Sequence, residues 1–186
     1  MSQIAIRRSV IGHLAVIAAA SLLAACGSGG SDTPTTNQAV TATASVDLDR
    51  ILQLVNAARA QARACGGTNM PATSAVTWNS KVATAAQVQS DFMRTQDVFT
   101  HSGAGGSNVG DRLSATGYDW AAVGENIAAG QLSEDEVVAA WLASPAHCSA
   151  IMTSGYSQIG VARANGVSTN TFPSYWTMVL ARPTTG

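Results

Sequence analysis

Beyond His13 in the N-terminal segment, the chain carries only two histidines, His101 and His147. Imidazole is the commonest neutral metal ligand and the side chain that titrates nearest neutrality, so any such chemistry here uses one or both of them. Between them lies Gly124-Glu125-Asn126-Ile127. Glu125 is one of three glutamates, and the other two, Glu134 and Glu136, sit at a helix start. A carboxylate between Gly124 and an apolar Ile-Ala-Ala run is expected to be half-buried and therefore to need a partner. That partner is either a backbone amide or a histidine that the carboxylate orients. His101 heads a glycine-rich loop, Thr100 to Gly110, which suits a solvent-facing linker but also lets an imidazole face a cleft.

The elements that position these residues are mostly helices. Leu48, Ile51, Leu52, Val55, Ala58 and Ala62 form an amphipathic stripe that ends at Gly66-Gly67. Asn79 or Ser80 caps a second helix with Val82, Ala85, Ala86, Gln89, Phe92 and Met93 on its buried face. Ser133-Glu134-Asp135-Glu136 reads as a capping box ahead of Val137, Val138, Trp141 and Leu142. Ser144-Pro145 starts a short helix through His147 and Met152, with proline at its first position. Strand signals come late, at Ile159, Val161 and Ala164 and at Tyr175 to Leu180, with Ile127 to Ala129 as a third run. Helices first and a small antiparallel sheet later point to an α+β fold, helices on both sides of the sheet being one layering. At least three of Trp78, Trp120, Trp141 and Trp176 belong in the core, and Tyr118-Asp119-Trp120 is expected at the surface. Asn126 is expected to fix a loop through backbone hydrogen bonds, and Arg59 to pair with a local carboxylate.

The N-terminus sets the compartment. Arg7-Arg8, an apolar run from Val10 to Ala20 and small residues before Cys26 form an export signal, too short and wrongly flanked to span a membrane. Leu23-Ala24-Ala25-Cys26 resembles a bacterial lipobox, which makes residues 1–25 a lipoprotein signal peptide and Cys26 the lipidated (palmitate-bearing) first residue. The alternative is ordinary secretion with cleavage at a nearby alanine. Gly27 after the cysteine resembles lipoproteins sent to an outer membrane, if the host has one. Residues 26–45 are rich in Gly, Ser, Thr and Asn, bury too little to offset ordering entropy, and read as a flexible tether. Residues 46–186 make one domain with room for a core.

Removing Cys26 leaves Cys65 and Cys148, and two cysteines in an oxidising compartment allow one pairing. That bridge would tie the segment beside His147 to the end of the first helix. Two thiolate metal ligands are the weaker reading, because neither cysteine has a Cys-x-x-Cys partner. Without Arg7 and Arg8, eight Lys/Arg face eleven Asp/Glu, so no basic face is expected to hold nucleic acid.

Six segments then occur in a familiar order: Asn56-Ala57-Ala58-Arg59, Val76-Thr77-Trp78-Asn79, His101-Ser102, Gly124-Glu125-Asn126-Ile127, Trp141-Leu142-Ala143-Ser144-Pro145-Ala146-His147 and Gly160-Val161. Over residues 46 to 181 this resembles the bacterial branch of the CAP superfamily (SCP/TAPS), which includes cysteine-rich secretory, antigen 5 and pathogenesis-related 1 proteins. The resemblance implies an α-β-α sandwich with a cleft in which His101 and His147 meet. It implies zinc or another divalent cation, weakly held by the two histidines, with Glu125 a direct ligand or a residue behind them. The family's second acid is replaced here by Ser144, its Gly-His-aromatic signature by Pro145-Ala146-His147-Cys148, and its C-terminal cysteine signature by Tyr175-Trp176-Thr177.

Three functions follow from these expectations. The first is a lipid-tethered, monomeric binding module of the cell envelope that accepts a lipid, sterol or peptide. The second is a metal-assisted hydrolase, a peptidase or esterase using His101, Glu125 and His147, with Ser102 or Ser144 as a nucleophile. Neither serine lies in a nucleophile elbow and no third metal ligand is evident, so the reading leans away from an enzyme. The third is a structural envelope protein without a ligand.

Overall fold

The computed structural model describes residues 4–5 and 46–184. The rest of the expected signal peptide, Cys26 as the expected lipidation site and the expected tether lie outside the described residues. In chain order the elements are β1 (Ile4–Ala5), α1 (Leu48–Arg59), β2 (Arg63–Cys65), β3 (Thr68–Met70), β4 (Thr77–Trp78), α2 (Ser80–Gln96), α3 (Val109–Ala115), β5 (Trp120–Ala129), α4 (Glu134–Ala143), α5 (Pro145–Met152), β6 (Gln158–Asn165) and β7 (Ser174–Pro183). The main sheet has the order β1-β5-β7-β6-β4, and β2 and β3 form a separate hairpin. The three long strands are antiparallel, whereas the two-residue strands β1 and β4 pair parallel with β5 and β6.

Helices cover both faces. Ile51 and Val55 of α1, Val138 and Trp141 of α4 and Ile151 of α5 pack on Ala128, Ile159, Val161, Trp176, Met178 and Leu180. On the opposite face Val82, Ala85 and Ala86 of α2 and Leu113 of α3 meet Ala162, Val179 and Ala181. Alternate residues of β6 and β7 thus go to different cores, and both strands read as near-continuous apolar runs for that reason. The layering is the α-β-α sandwich that the family resemblance implies.

Local chemistry explains the helix starts. Asn79 accepts from Lys81 N and Val82 N at the head of α2, and Ser133 from Glu136 N at the head of α4. Glu136 closes its turn on Leu132 N rather than on the cap itself. Asp97 ends α2 in the left-handed conformation, and its carboxylate accepts from the Tyr175 hydroxyl and from Thr171 N and Oγ1. The Tyr175 bond, followed by the Thr171 amide, holds the Asp97 carboxyl below the usual carboxylate range.

Three expectations need correction. The first helix ends at Arg59, not at Gly66, because the chain turns into the β2–β3 hairpin at Arg63. Gly110 lies inside α3, whose Asn108–Asp111 capping box ends the loop earlier than glycine content suggests. Among the described residues Arg59 pairs with no carboxylate: fully buried, it donates to the carbonyls of Ser74, Ile151, Thr153 and Tyr156, and burial lowers its pKa.

Candidate functional site

Glu125 sits mid-strand in β5, on the face covered by α2 and α3. Its carboxylate is almost fully buried and bonded on both oxygens. Oε1 pairs with His101 Nδ1 at 2.8 Å, and Oε2 accepts from Arg112 Nη2 at 2.6 Å. Arg112 is as buried as its partner, so the two charges neutralise each other away from solvent. The same guanidinium donates to Ser107 O and His101 O, and so pins the loop that carries His101. A carboxylate against an arginine accepts only, so His101 Nδ1 carries a proton, and in the neutral ring the lone pair is on Nε2. That Nε2 is buried and makes no hydrogen bond.

His147 approaches from the other face of the sheet. It lies on α5, where Pro145 at the first helical position and Ser144 at the cap direct the chain. Asn126 Nδ2 donates to His147 O at 3.2 Å, so Asn126 ties β5 to α5 from within the strand rather than fixing a loop. The Cys65–Cys148 disulfide anchors the next residue of α5 to the β2–β3 hairpin, not to the end of α1 as expected. Gly66 in the hairpin turn has φ +64°, and a Cβ there would lie 2.9 Å from Pro145 Cβ.

His101 and His147 line one cavity of about 250 Å³ together with Glu125, Val123, Ala146 and Tyr156. The Tyr156 ring packs on Gly124, where a Cβ would come within 2.5 Å of its hydroxyl, and burial pushes its phenol pKa up. Ser144 Oγ is buried without a hydrogen bond and is absent from this cavity lining. A second cavity of about 200 Å³, lined by His101, Ser102, Asn108, Val109 and Glu125, lies across the His101–Glu125 pair.

The geometry thus brings His101, Glu125 and His147 together, and adds two residues that sequence reasoning missed. Arg112 had one legible signal, the Asn108-x-x-Asp111 capping pattern that puts it on a helix, but nothing local names its partner. Tyr156 had none. Among the tryptophans, Trp141 and Trp176 are fully buried and Trp78 packs against the core, while Trp120 is 37 % exposed. Tyr118, expected at the surface with Trp120, is buried and donates to Gln158 Oε1. Among the described residues no group of three or more His, Cys, Asp or Glu is placed to hold a metal. None of their helices is long and apolar enough to cross a membrane.

Comparison with known proteins agrees with this architecture. Residues 52–180 match the family model described as CAP, cysteine-rich secretory protein family. Two curated relatives are uncharacterized Bacillus subtilis (strain 168) proteins. YkwD is 32 % identical over 77 residues, 41 % of this chain and 30 % of its own. The membrane protein YlbC is 29 % identical over 99 residues, 53 % of this chain and 29 % of its own. The chain therefore spans less than a third of the length of these relatives. Among solved structures, the fold is similar to an extracellular protein containing a SCP domain from Bacillus anthracis str. Ames. That match has a TM-score of 0.51 at 24 % identity and covers 59 % of this chain and 34 % of the other. It is also similar to an outer surface protein from Borrelia burgdorferi, with a TM-score of 0.54 at 16 % identity over 76 % and 99 % of the two chains.

Proposed function

The chain belongs to the CAP, or cysteine-rich secretory protein, family, and from that premise we propose an envelope binding module. It is tethered by lipid on Cys26 and monomeric, in the outer membrane where the host has one, and its cleft takes a divalent cation together with a lipid, sterol or peptide. One observation carries the cation: His101 Nε2 is buried with no hydrogen bond, while Glu125 holds the opposite nitrogen protonated, so that in the neutral ring Nε2 is the nitrogen with a ligating lone pair. His147, on the same cavity, is the second ligand. A bound zinc would supply a Lewis-acidic anchor for an oxygen of the ligand. With two protein ligands, where firmly held zinc takes three or four, the ion is exchangeable.

The hydrolase reading is weaker. Both Glu125 oxygens are engaged, one by Arg112 and one by His101, so this carboxylate is poorly placed to take a proton from water. Its role is to orient His101.

Zinc titration of the purified protein tests the proposal. The melting temperature is expected to rise with Zn²⁺, by a free energy of about 2.7 kcal/mol at a hundredfold excess over Kd. His101→Ala combined with His147→Ala should abolish that rise. A midpoint indifferent to zinc in both proteins removes the metal site.

A further inference from the structure

Among the described residues only the two-residue β1 lies outside β5 in the sheet, and Val123 to Asn126 of β5 line one cavity while Glu125 also lines the other. Gly130 N donates to Ser174 O, which makes Gly130 and Ser174 a hydrogen-bonded pair. In the same register Ala128 faces Trp176, Asn126 faces Met178 and Gly124 faces Leu180. The even residues therefore exchange their bonds with β7, and the odd residues Val123 and Glu125 turn N–H and C=O toward the outer edge. The parity is consistent on the other side of β7, where Gly166 N donates to Pro173 O. Neither Val123 nor Glu125 makes a backbone bond outside the sheet among the described residues.

A further observation concerns what fits there. A cavity opens on each side of the edge: one toward His147 and Tyr156 on the α5 face, the other toward Ser102 and Val109 on the α2–α3 face, with the His101–Glu125 pair as their shared wall. Successive side chains of an extended chain point to opposite faces of a sheet, so one strand laid on this edge sends alternate side chains into the two cavities. A single acyl tail or a sterol would need one continuous apolar chamber, and the wall of histidine and carboxylate divides this space.

We propose that the outer edge of β5 at Val123 and Glu125 is a strand-addition site for an extended peptide, whose alternate side chains fill the two cavities beside His101. Main-chain bonds to the edge supply affinity and the cavities select side chains. This rests on the binding-module reading and names its ligand as a peptide.

Phage display of a short random-peptide library on the purified full chain, followed by synthesis of the enriched sequence, supplies the probe. N-methylation at every second residue is expected to abolish binding in one phase, where the amides face β5, and to spare it in the other, where they face solvent. Amide signals of Val123 and Glu125 should shift on titration. Val123→Pro deletes an outward N–H that serves no bond to β7, so it is expected to weaken the peptide about tenfold, whereas Val123→Ala, which loses the same core packing but keeps the N–H, should bind the peptide as the native chain does. Equal loss in both N-methylation phases, or no enriched peptide, overturns the proposal. If zinc still raises the melting temperature in that case, the binding-module reading stands and only strand addition falls; if zinc also has no effect, both fall.

Discussion

Glu125 is compensated twice, by Arg112 on one oxygen and by His101 on the other, and the order of those bonds determines what the site presents. The arginine keeps the carboxylate an acceptor, the carboxylate orients the imidazole through Nδ1, and His101 lines the cavity with Nε2 unbonded. Arg112→Met leaves the carboxylate buried without its counter-charge. It is expected to destabilise the fold by about 3–5 kcal/mol in urea denaturation, whereas Arg112→Met with Glu125→Leu should recover much of that loss. Losses that simply add would show that the two side chains act independently. Glu125 and His101 are legible in the sequence because a carboxylate in an apolar run and a scarce histidine stand out. Arg112 is not, because its partner lies thirteen residues away on another element.

At the scale of elements, helix α2 and the central strands define the frame that holds the loop of His101 against β5. Gly160 permits that contact, since a Cβ there would lie 2.1 Å from Ala83 N in the backbone of α2. Gly160→Ala therefore cannot be absorbed by a side-chain rotation. It should cost about 1–3 kcal/mol or more, read as a lower melting temperature with little change in zinc response relative to stability. A midpoint equal to the native one would mean that α2 slides freely over the sheet. The longer helices are legible because α1 carries a strong apolar period, and α2 and α4 join apolar residues to good caps at Asn79 and Ser133. Helix α3 and the β2–β3 hairpin were not: one is a short helix behind a glycine-rich loop, and the other is a pair of polar three-residue strands with no alternating pattern.

Across the whole molecule, the Cys65–Cys148 bridge joins residues 83 apart and fastens the hairpin to the helix of His147. Cys65→Ala with Cys148→Ala should lower stability by about 4–5 kcal/mol on the chain-entropy account, and should blunt the zinc-induced rise by loosening α5. The unfolding midpoint with and without reductant measures the first, and an identical midpoint would show that the hairpin contact alone suffices. Composition and pattern by themselves determined the α+β class, the helical segments other than α3, the cysteine pair available to the folded domain, and His101, Glu125 and His147 as candidates, which the family resemblance then assigned to one site. All of these are local in the chain, set by periodicity, capping or scarcity. The family resemblance implied that His101 and His147 meet in one cleft; only the tertiary structure decided that they reach it from opposite faces of a sheet, that Arg112 neutralises Glu125, and that the β5 edge runs between two chambers. Those facts depend on which strand lies outermost and on its hydrogen-bond parity, and strand order is a long-range pairing that no short window of sequence encodes.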